Sequence, residues 1–353
     1  MLQACFLFRP NYGANLQILK VEIGGDAQST DGSEASHMHN PWEENYRRGY
    51  EWWLMVEAKK RNPDIKLYGL SWAFPQWVTC SPGTLQNCSG NSPYPYPDQL
   101  AQYITKWVNG ARDTYGLDID YIGSWNERAY DTTYLKTLRA TLDKSGFNNT
   151  KIVAPDSGWG IAKDILNDNA LAEAIYGIGA HYPGMYSSSD AEATGKPLWA
   201  SEDDSTYDND VGAECWARII NRNYVLGNMT ATINWNLVTS YMKGTNWYRA
   251  GLFNAMKPWN GNYGALHPSP PRPYPFLFLT PLTTLPPGTH PNRVPTQGWQ
   301  LYCRTHGVGI SPYHAIYKEW LDVPPYCLIY LLLRYWKCYV ERWGKLRQWR
   351  CSY

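Results

Sequence analysis

The chain has 353 residues, enough for one large barrel or two ordinary domains, and its 44% of hydrophobic residues can form a sizeable core. Its net charge of +1 hides an asymmetry. Residues 266–353 carry ten Lys/Arg against three Asp/Glu, whereas residues 1–265 carry 22 Lys/Arg against 28 Asp/Glu. The larger, acidic part has no basic stripe, which argues against a nucleic-acid partner. The aromatic content of 15% suits stacking on sugar rings and also fits an aromatic-rich core.

Apolar segments with strand character alternate with amphipathic segments across the first 240 residues. The predicted strands are 16–25, 65–70, 119–125, 151–154, 178–180, 197–201 and 231–236. The predicted helices are 44–61, 99–115, 134–145, 161–176 and 213–226. This alternation predicts a parallel α/β architecture. No phosphate-cradling glycine motif follows the first strand, so a TIM (β/α)8 barrel is favoured over a doubly wound sheet, with seven of its eight strands present.

Two of these strands end in carboxylates. Residues 119–122 run into Trp125, Asn126, Glu127 and Arg128, and residues 197–201 run into Glu202. Carboxylates on separate parallel strands meet at one edge of the sheet and suggest glycoside hydrolysis, in which one acid protonates the leaving oxygen while the other attacks or directs water. An isolated Glu after a strand more often caps the next helix. The pairing of the two carboxylates and the tryptophans around them favour catalysis.

Other features bear on cofactor and compartment. His37 and His39 share a loop, but without further ligand spacing they favour a hydrogen-bonded loop, so we expect neither a metal nor a cofactor.

Cys80 and Cys88 bracket a Ser-, Gly- and Pro-rich loop that would suit a disulfide in an oxidising compartment. The N-terminus shows no signal-peptide pattern. Sequons for N-glycosylation stand at 87, 148 and 228.

The character of the chain changes after residue 265. Ten prolines fall between Pro268 and Pro295, and helix and strand periodicity disappears. The apolar run 329–333 is too short to span a membrane. We therefore predict a catalytic domain at 1–265 and an irregular, basic, Pro-rich tail at 266–353. The alternative origins for this tail are a plain Pro-rich linker and a non-native reading frame or retained intervening sequence.

Several sequence blocks resemble the galactocerebrosidase family of glycoside hydrolases. The matching blocks are 19–26, 49–55, 118–123, 179–184 and 201–203, in this order along the chain. The resemblance covers residues 6–264 and implies a TIM barrel truncated at both ends, with its first strand absent. It also implies a lysosomal or secreted enzyme that acts on a galactolipid, with a saposin-like activator as a possible partner. Cys215 resembles a half-cystine whose partner belongs to the missing carboxyl-terminal part.

The resemblance also assigns roles to individual residues. It implies that Glu127 is the acid/base and Glu202 the nucleophile of a retaining reaction. It further implies a galactose pocket lined by Thr30, Trp72, Asn126, Ser205 and Trp235. The residues alone do not decide whether Thr30, Asp31 or Asn236 recognises the axial 4-hydroxyl of galactose.

Two other hypotheses stay open from the sequence. One is a β-glycosidase on the same barrel that acts on a different sugar. The other is an inactive fragment or sugar-binding remnant produced by truncation or mis-splicing, because a seven-stranded sheet leaves two edges and apolar faces uncovered.

Overall fold

A computed structural model describes residues 2–27, 33–84, 92–205, 210–240, 251 and 253–255. The predicted tail, the apolar run 329–333, Asp31 and Cys88 lie outside these residues, and so does Thr30. The predicted boundary between two domains at residue 265 therefore remains a prediction.

Seven parallel strands form the central sheet, in the same order in space as in sequence. They are β1 (Ile18–Glu22), β2 (Lys66–Leu70), β3 (Tyr121–Ile122), β4 (Lys151–Ser157), β5 (Ile175–His181), β6 (Leu198–Asp203) and β7 (Met229–Asn234). A separate parallel pair follows, β8 (Val238–Ser240) with β9 (Phe253–Ala255). Each of the seven strands matches a strand predicted from the sequence, which confirms the barrel class and the count of seven.

Helices connect the strands and cover the outside of the sheet. They are α1 (Leu2–Phe8), α2 (Glu51–Arg61), α3 (Pro97–Tyr115), α4 (Thr132–Lys144), α5 (Ile161–Asn167), α6 (Asn169–Ala174), α7 (Ser189–Ala193) and α8 (Asp210–Val225). In this described part of the chain, no helix is both long and apolar enough to cross a bilayer.

Three of the five predicted helices match the structure to within three residues at each end, and the other two differ more. The segment 44–61 becomes helical only at Glu51, because Gly49 adopts a φ of 80°, which an α-helix does not allow. The segment 161–176 is divided at Asp168, whose extended backbone ends α5 and whose side chain accepts a hydrogen bond from the N–H of Leu171 to begin α6. Residues 175 and 176 already belong to β5. Apolar periodicity alone could not distinguish these short helices from one longer helix.

Alternation along the strands separates two apolar clusters. Side chains such as Leu19, Leu67 and Ile152 pack outward against the helices, in the larger cluster. The interior cluster comprises Tyr68, Leu70, Tyr121, Val153 and Trp199, with Ile18, Trp72, Tyr176, Ala231 and Ile233 packed against it. Large side chains therefore fill the lower interior, as they do in TIM barrels, and polar groups occupy the carboxyl edge above them.

The sheet curls until its distant strands meet. Lys20 on β1 donates a hydrogen bond to the backbone carbonyl of Ser201 on β6, over 3.0 Å, although β1 and β6 are not neighbours in the sheet. The seven strands thus form a nearly closed barrel.

Candidate active site

The short strand β3 delivers Glu127 to the carboxyl edge of the barrel. The N–H of Asn126 donates to the carbonyl of Ser71, and the N–H of Glu127 donates to the carbonyl of Asp156 on the neighbouring strand. Glu127 has a φ of 51°, in the left-handed region that non-glycine residues rarely occupy. Its side chain is 47% exposed, so the carboxyl group can reach a ligand at the mouth of the barrel.

The carboxyl group of Glu202 lies inside the mouth of the barrel, where its side chain is only 5% exposed. Oε1 accepts a hydrogen bond from the hydroxyl of Tyr182 over 2.7 Å. Oε2 accepts one from the ammonium of Lys20 over 3.1 Å. Burial raises the pKa of Tyr182, which keeps its hydroxyl a neutral donor. Both carboxylate oxygens of Glu202 are therefore held by donors, and its orientation is fixed.

The imidazole of His181, at the end of β5, bridges the two carboxylates. Its Nδ1 lies 3.3 Å from Oε1 of Glu127 and 3.7 Å from Oε2 of Glu202. Its Nε2 lies 3.4 Å from Oδ1 of Asp156, a fully buried carboxylate that also accepts a 2.5 Å hydrogen bond from the hydroxyl of Tyr68. The two sequence-predicted carboxylates are thus brought together: single oxygens of Glu127 and Glu202 and one His181 nitrogen lie within 4.8 Å of one another.

The charges of this cluster shift the protonation of its members. The hydrogen bond from His181 lowers the pKa of Glu127, which partial burial opposes. Burial and the ammonium of Lys20 disfavour a charged His181, but the hydrogen bonds to Asp156 and Glu127 outweigh them and raise the pKa of the imidazole. Burial also disfavours the ionised form of Asp156, yet the hydrogen bond from His181 and the charge of Lys20 lower the pKa of its carboxyl group. The cluster thus stabilises ionised groups of both signs.

Strained backbone accompanies these side chains. Glu127, Asp156 and Tyr182 all have positive φ angles. Such residues cost about 1–3 kcal/mol each and persist where the surrounding structure enforces them, commonly at functional sites. Gly123 leaves room for the carboxyl group of Asp156, because a Cβ there would lie 2.4 Å from Oδ2 of Asp156.

Four other predicted site residues are described by the structure, and each follows a strand of the barrel. Trp72 follows β2, and its ring centroid lies 5.3 Å from the Lys20 ammonium. The side-chain oxygen of Asn126 is buried and has no hydrogen-bond partner within the described residues, as expected for a group that binds a ligand. Trp235 follows β7, and its backbone N–H donates to the backbone carbonyl of Asp203, next to Glu202. Ser205 is buried two residues beyond β6.

Sequence reasoning did not identify every member of the site. Lys20, Asp156, His181 and Tyr182 were not predicted as site residues. His181 and Tyr182 follow the apolar run 178–180 directly, so the rule that found Glu127 and Glu202 applies to them as well. Lys20 gave no comparable signal, since a Lys within an alternating strand usually faces solvent.

The Glu127, His181 and Glu202 ligand atoms are close enough to surround one cation. The ammonium of Lys20, however, already provides a positive charge at Glu202. We therefore do not identify these residues as metal ligands.

The structure describes two of the three cysteines discussed from the sequence, Cys80 and Cys215. Cys80 is disulfide-bonded, whereas its predicted partner Cys88 lies outside the described residues. Cys215 is a buried free thiol on α8, and burial raises its pKa.

A parallel barrel with two carboxylates from separate strands at its carboxyl edge is the arrangement of the barrel glycoside hydrolases. The sequence pattern of one such family, "Glycosyl hydrolase family 59", matches residues 4–268. The chain belongs to this family.

Relatives of known name agree with this assignment. "Galactocerebrosidase" of Danio rerio is 55% identical over 258 residues, which cover 73% of this chain and 38% of the relative. "Galactocerebrosidase" of Homo sapiens is 52% identical over 259 residues, which cover 73% of this chain and 37% of the relative. The chain thus spans well under half of the length of these relatives.

Solved structures share the fold at low sequence identity. A conserved exported protein from Bacteroides fragilis superposes with a TM-score of 0.54 at 19% identity, covering 69% of this chain and 67% of that chain. A glycoside hydrolase family 30 xylanase from Clostridium acetobutylicum gives a TM-score of 0.51 at 21% identity, covering 72% of this chain and 63% of that chain. These similarities support the barrel fold alone.

Proposed function

We propose that this chain carries the catalytic barrel of a retaining β-galactosidase that removes galactose from galactosylceramide and related galactolipids. The observation that carries the proposal is the pair Glu127 and Glu202, whose nearest ligand atoms lie within 4.8 Å. Retaining glycosidases hold their carboxyl groups about 5–5.5 Å apart, whereas inverting enzymes leave about 6.5–9.5 Å for a water molecule. An oxygen-to-oxygen distance of at most 4.8 Å is compatible with the retaining arrangement, in which one carboxylate attacks directly.

In the first step, Glu127 donates its proton to the glycosidic oxygen while an oxygen of Glu202 attacks the anomeric carbon. The bond to the leaving group breaks, and a glycosyl ester of Glu202 forms. In the second step, ionised Glu127 takes a proton from water as the water oxygen attacks the same carbon, and Glu202 departs as a carboxylate. Lys20 and Tyr182 stabilise the charge on Glu202 before and after the ester stage.

The solvent exposure of the two carboxyl groups fits these different roles. Glu127 must meet leaving groups as large as a lipid, and its side chain is 47% exposed. Glu202 meets only the anomeric carbon, and its side chain is 5% exposed and doubly hydrogen-bonded. We assign Thr30, Trp72, Asn126, Ser205 and Trp235 to the galactose pocket, with the unpaired oxygen of Asn126 as the group that supports this assignment best.

We further propose that the protein is lysosomal or secreted and that a saposin-like activator presents its lipid substrate. The acidic balance of residues 1–265 supports an acidic compartment. The relatives named galactocerebrosidase support the sugar and the lipid.

A mechanism-based label tests the reaction and its nucleophile together. The full chain is incubated with a 2-deoxy-2-fluoro-β-galactoside that has an activated leaving group, digested, and analysed by mass spectrometry. We expect the sugar on the peptide that contains Glu202, and no label on the Glu202→Gln variant, since Gln keeps the shape but lacks the nucleophilic charge. A label on another residue would assign the nucleophile elsewhere. Faster turnover of β-glucosides than of β-galactosides would replace the galactose assignment with another sugar.

The fragment hypothesis keeps one specific observation in its favour. Strands β1 and β7 are the two ends of the sheet, and within the described residues neither has a second neighbour. An unpaired sheet edge destabilises an isolated barrel. A cooperative thermal transition together with labelling of Glu202 would reject this hypothesis, whereas galactose binding without labelling would favour a sugar-binding remnant.

A further inference from the structure

The ring of His181 has carboxylate oxygens on both sides. Nδ1 faces Oε1 of Glu127 at 3.3 Å and Oε2 of Glu202 at 3.7 Å, while Nε2 faces Oδ1 of Asp156 at 3.4 Å. A neutral imidazole has one donor nitrogen and one acceptor nitrogen. Here an acceptor nitrogen would point its lone pair at a carboxylate oxygen, whichever tautomer is chosen. When all three carboxyl groups are ionised, only the doubly protonated ring has a proton to donate on both sides.

The neighbours of Asp156 support the same conclusion. A protonated Asp156 could in principle donate to Nε2, but its carboxyl group is already stabilised as an anion by the hydroxyl of Tyr68. Lys20 and His181 also lower the pKa of Asp156 despite its burial. Asp156 therefore acts as an acceptor, and the proton between it and the ring belongs to Nε2.

The charged and titratable groups around the ring come from every strand that faces it. They are Lys20 on β1, Tyr68 on β2, Glu127 and Arg128 after β3, Asp156 on β4, Tyr182 after β5, and Glu202 and Asp203 on β6. Lys20 is the cation that opposes a charge on His181, and it is itself hydrogen-bonded to Glu202. Three carboxylates contact the ring and favour its charged form, whereas one ammonium opposes it.

We propose that His181 is a positioning residue that carries protons on both ring nitrogens in the resting protein and, through this cation, fixes the position and the charge of Glu127. The role rests on the proposed function, in which Glu127 is the acid/base. Asp156 anchors the ring from the buried side, and Nδ1–H holds the exposed carboxyl group of Glu127 over the site of reaction. The imidazolium also separates Glu127 from Glu202, two anions that would otherwise repel each other.

This arrangement has a cost for the first chemical step. Glu127 must be protonated to act as an acid, but an adjacent cation favours its anion, and the pKa of Glu127 is lowered in the free site. The acid form is therefore populated only as the pH falls. His181 thus places the carboxyl group of Glu127 correctly, but it also lowers the fraction of protonated Glu127 at neutral pH. The reaction is therefore restricted to acidic conditions.

Nitrogen NMR on the full chain with 15N-labelled histidine tests the charge of the ring without any need for turnover. The chain has seven histidines, and His37 is a built-in reference. His37 is as buried as His181, but one of its nitrogens meets only the backbone carbonyl of Tyr103, and burial lowers the pKa of His37 to about 3. At pH 7 we expect the imidazolium signature for His181 and a neutral signature for His37. A neutral His181 at pH 7 would overturn the proposal.

Carboxyl-carbon NMR of Glu127 tests the effect of the cation on the acid/base. We expect the titration midpoint of Glu127, assigned with Glu127→Gln, to move to higher pH in His181→Gln. The matched control is His39→Gln, since His39 also contacts a carboxylate, Asp26 at 2.7 Å, but at an exposed position. An unchanged midpoint in His181→Gln would overturn the positioning role.

These two measurements also separate this inference from the proposed function. If the chain shows no labelling of Glu202, the assignment of activity fails, while the charge of His181 is still decided by NMR. If the chain is active, the alkaline limb of kcat/KM should move to higher pH in His181→Gln and stay in place in His39→Gln. A general loss of activity with an unmoved limb would reduce His181 to a structural residue and contradict the proposal.

Discussion

The ammonium of Lys20 lies 3.1 Å from Oε2 of Glu202, although the two residues are 182 positions apart in the sequence. They belong to strands near opposite ends of the sheet and meet across the interior of the barrel. Both side chains are almost fully buried, at 6% and 5% exposure, so this ion pair lacks most of the screening by water that weakens surface pairs. The contact gives the buried carboxyl group of Glu202 a counterion beside Glu127 and Asp156.

Removing the cation should cost both stability and activity. In Lys20→Met we expect kcat/KM to fall by about 10²-fold, since a charge that stabilises the departing carboxylate is lost. We also expect a loss of up to about 3 kcal/mol in the free energy of unfolding, because Glu202 stays buried without its counterion. Stability should largely recover in Lys20→Met/Glu202→Gln, measured by thermal melts. Lys66→Met is the control, as Lys66 pairs with Asp120 at the surface; an equal loss in both single variants would refute the role of Lys20.

Replacing the acid/base should affect substrates unequally. Glu127→Gln cannot donate a proton, so we expect losses of about 10²–10⁴-fold in kcat/KM on galactolipids and alkyl galactosides. Dinitrophenyl galactosides should lose far less in their first step, because a phenolate of low basicity leaves without protonation. Steady-state kinetics across a series of leaving groups measures this dependence. Equal losses along the series would argue against an acid/base role.

A single methyl group at Gly123 should displace Asp156, the buried carboxylate that contacts His181. The added Cβ in Gly123→Ala would lie 2.4 Å from Oδ2 of Asp156 and 2.4 Å from a methyl carbon of Leu70. Overpacking of this kind costs about 1–3 kcal/mol, and here the displaced carboxylate would also release His181. We expect a lower melting temperature and a loss of kcat larger than any rise in KM. Gly158→Ala is the matched control, since a Cβ there meets nothing within 4 Å; similar effects in both variants would contradict the prediction.

Stability should decline as the pH rises from about 4 to about 7. Burial raises the pKa of Glu22 to about 7, and burial raises that of Asp203 to about 6, whereas unfolded carboxyl groups titrate near pH 4. Between these values the folded state binds more protons than the unfolded state, so ionisation at higher pH favours unfolding. The contribution of each group is complete below its unfolded pKa and is lost as the pH passes its folded pKa.

The variant Glu22→Gln isolates one of these groups. Gln can still accept the hydrogen bonds that the N–H groups of Ser33 and Glu34 donate to Glu22, but it cannot ionise. We expect the difference in melting temperature between this variant and the parent chain to grow in favour of the variant from pH 4.5 to pH 7.5. A constant difference across this range would show that Glu22 does not titrate there.

Much of the fold followed from local pattern. Alternating apolar segments located all seven strands, because a buried parallel strand leaves a short, β-branched, apolar run in the sequence. Helix bounds were less certain. The break at Asp168 depends on a single side chain that caps the next helix, and the late start at Glu51 depends on the left-handed backbone of Gly49. Such breaks do not alter the apolar periodicity on which the prediction relied.

The positions of the two carboxylates could be predicted from local pattern, since Glu127 and Glu202 follow apolar runs whose carboxyl ends must share one edge of a parallel sheet. It could not determine what surrounds them. Lys20, Asp156 and His181 come from three further strands. The pKa of Asp156 and that of His181 each depend on the charged groups that the other strands place beside them. Only the curvature of the sheet decided that a lysine on β1 faces the interior and reaches β6, because the direction of a side chain within a strand is local whereas its partner across a barrel is not.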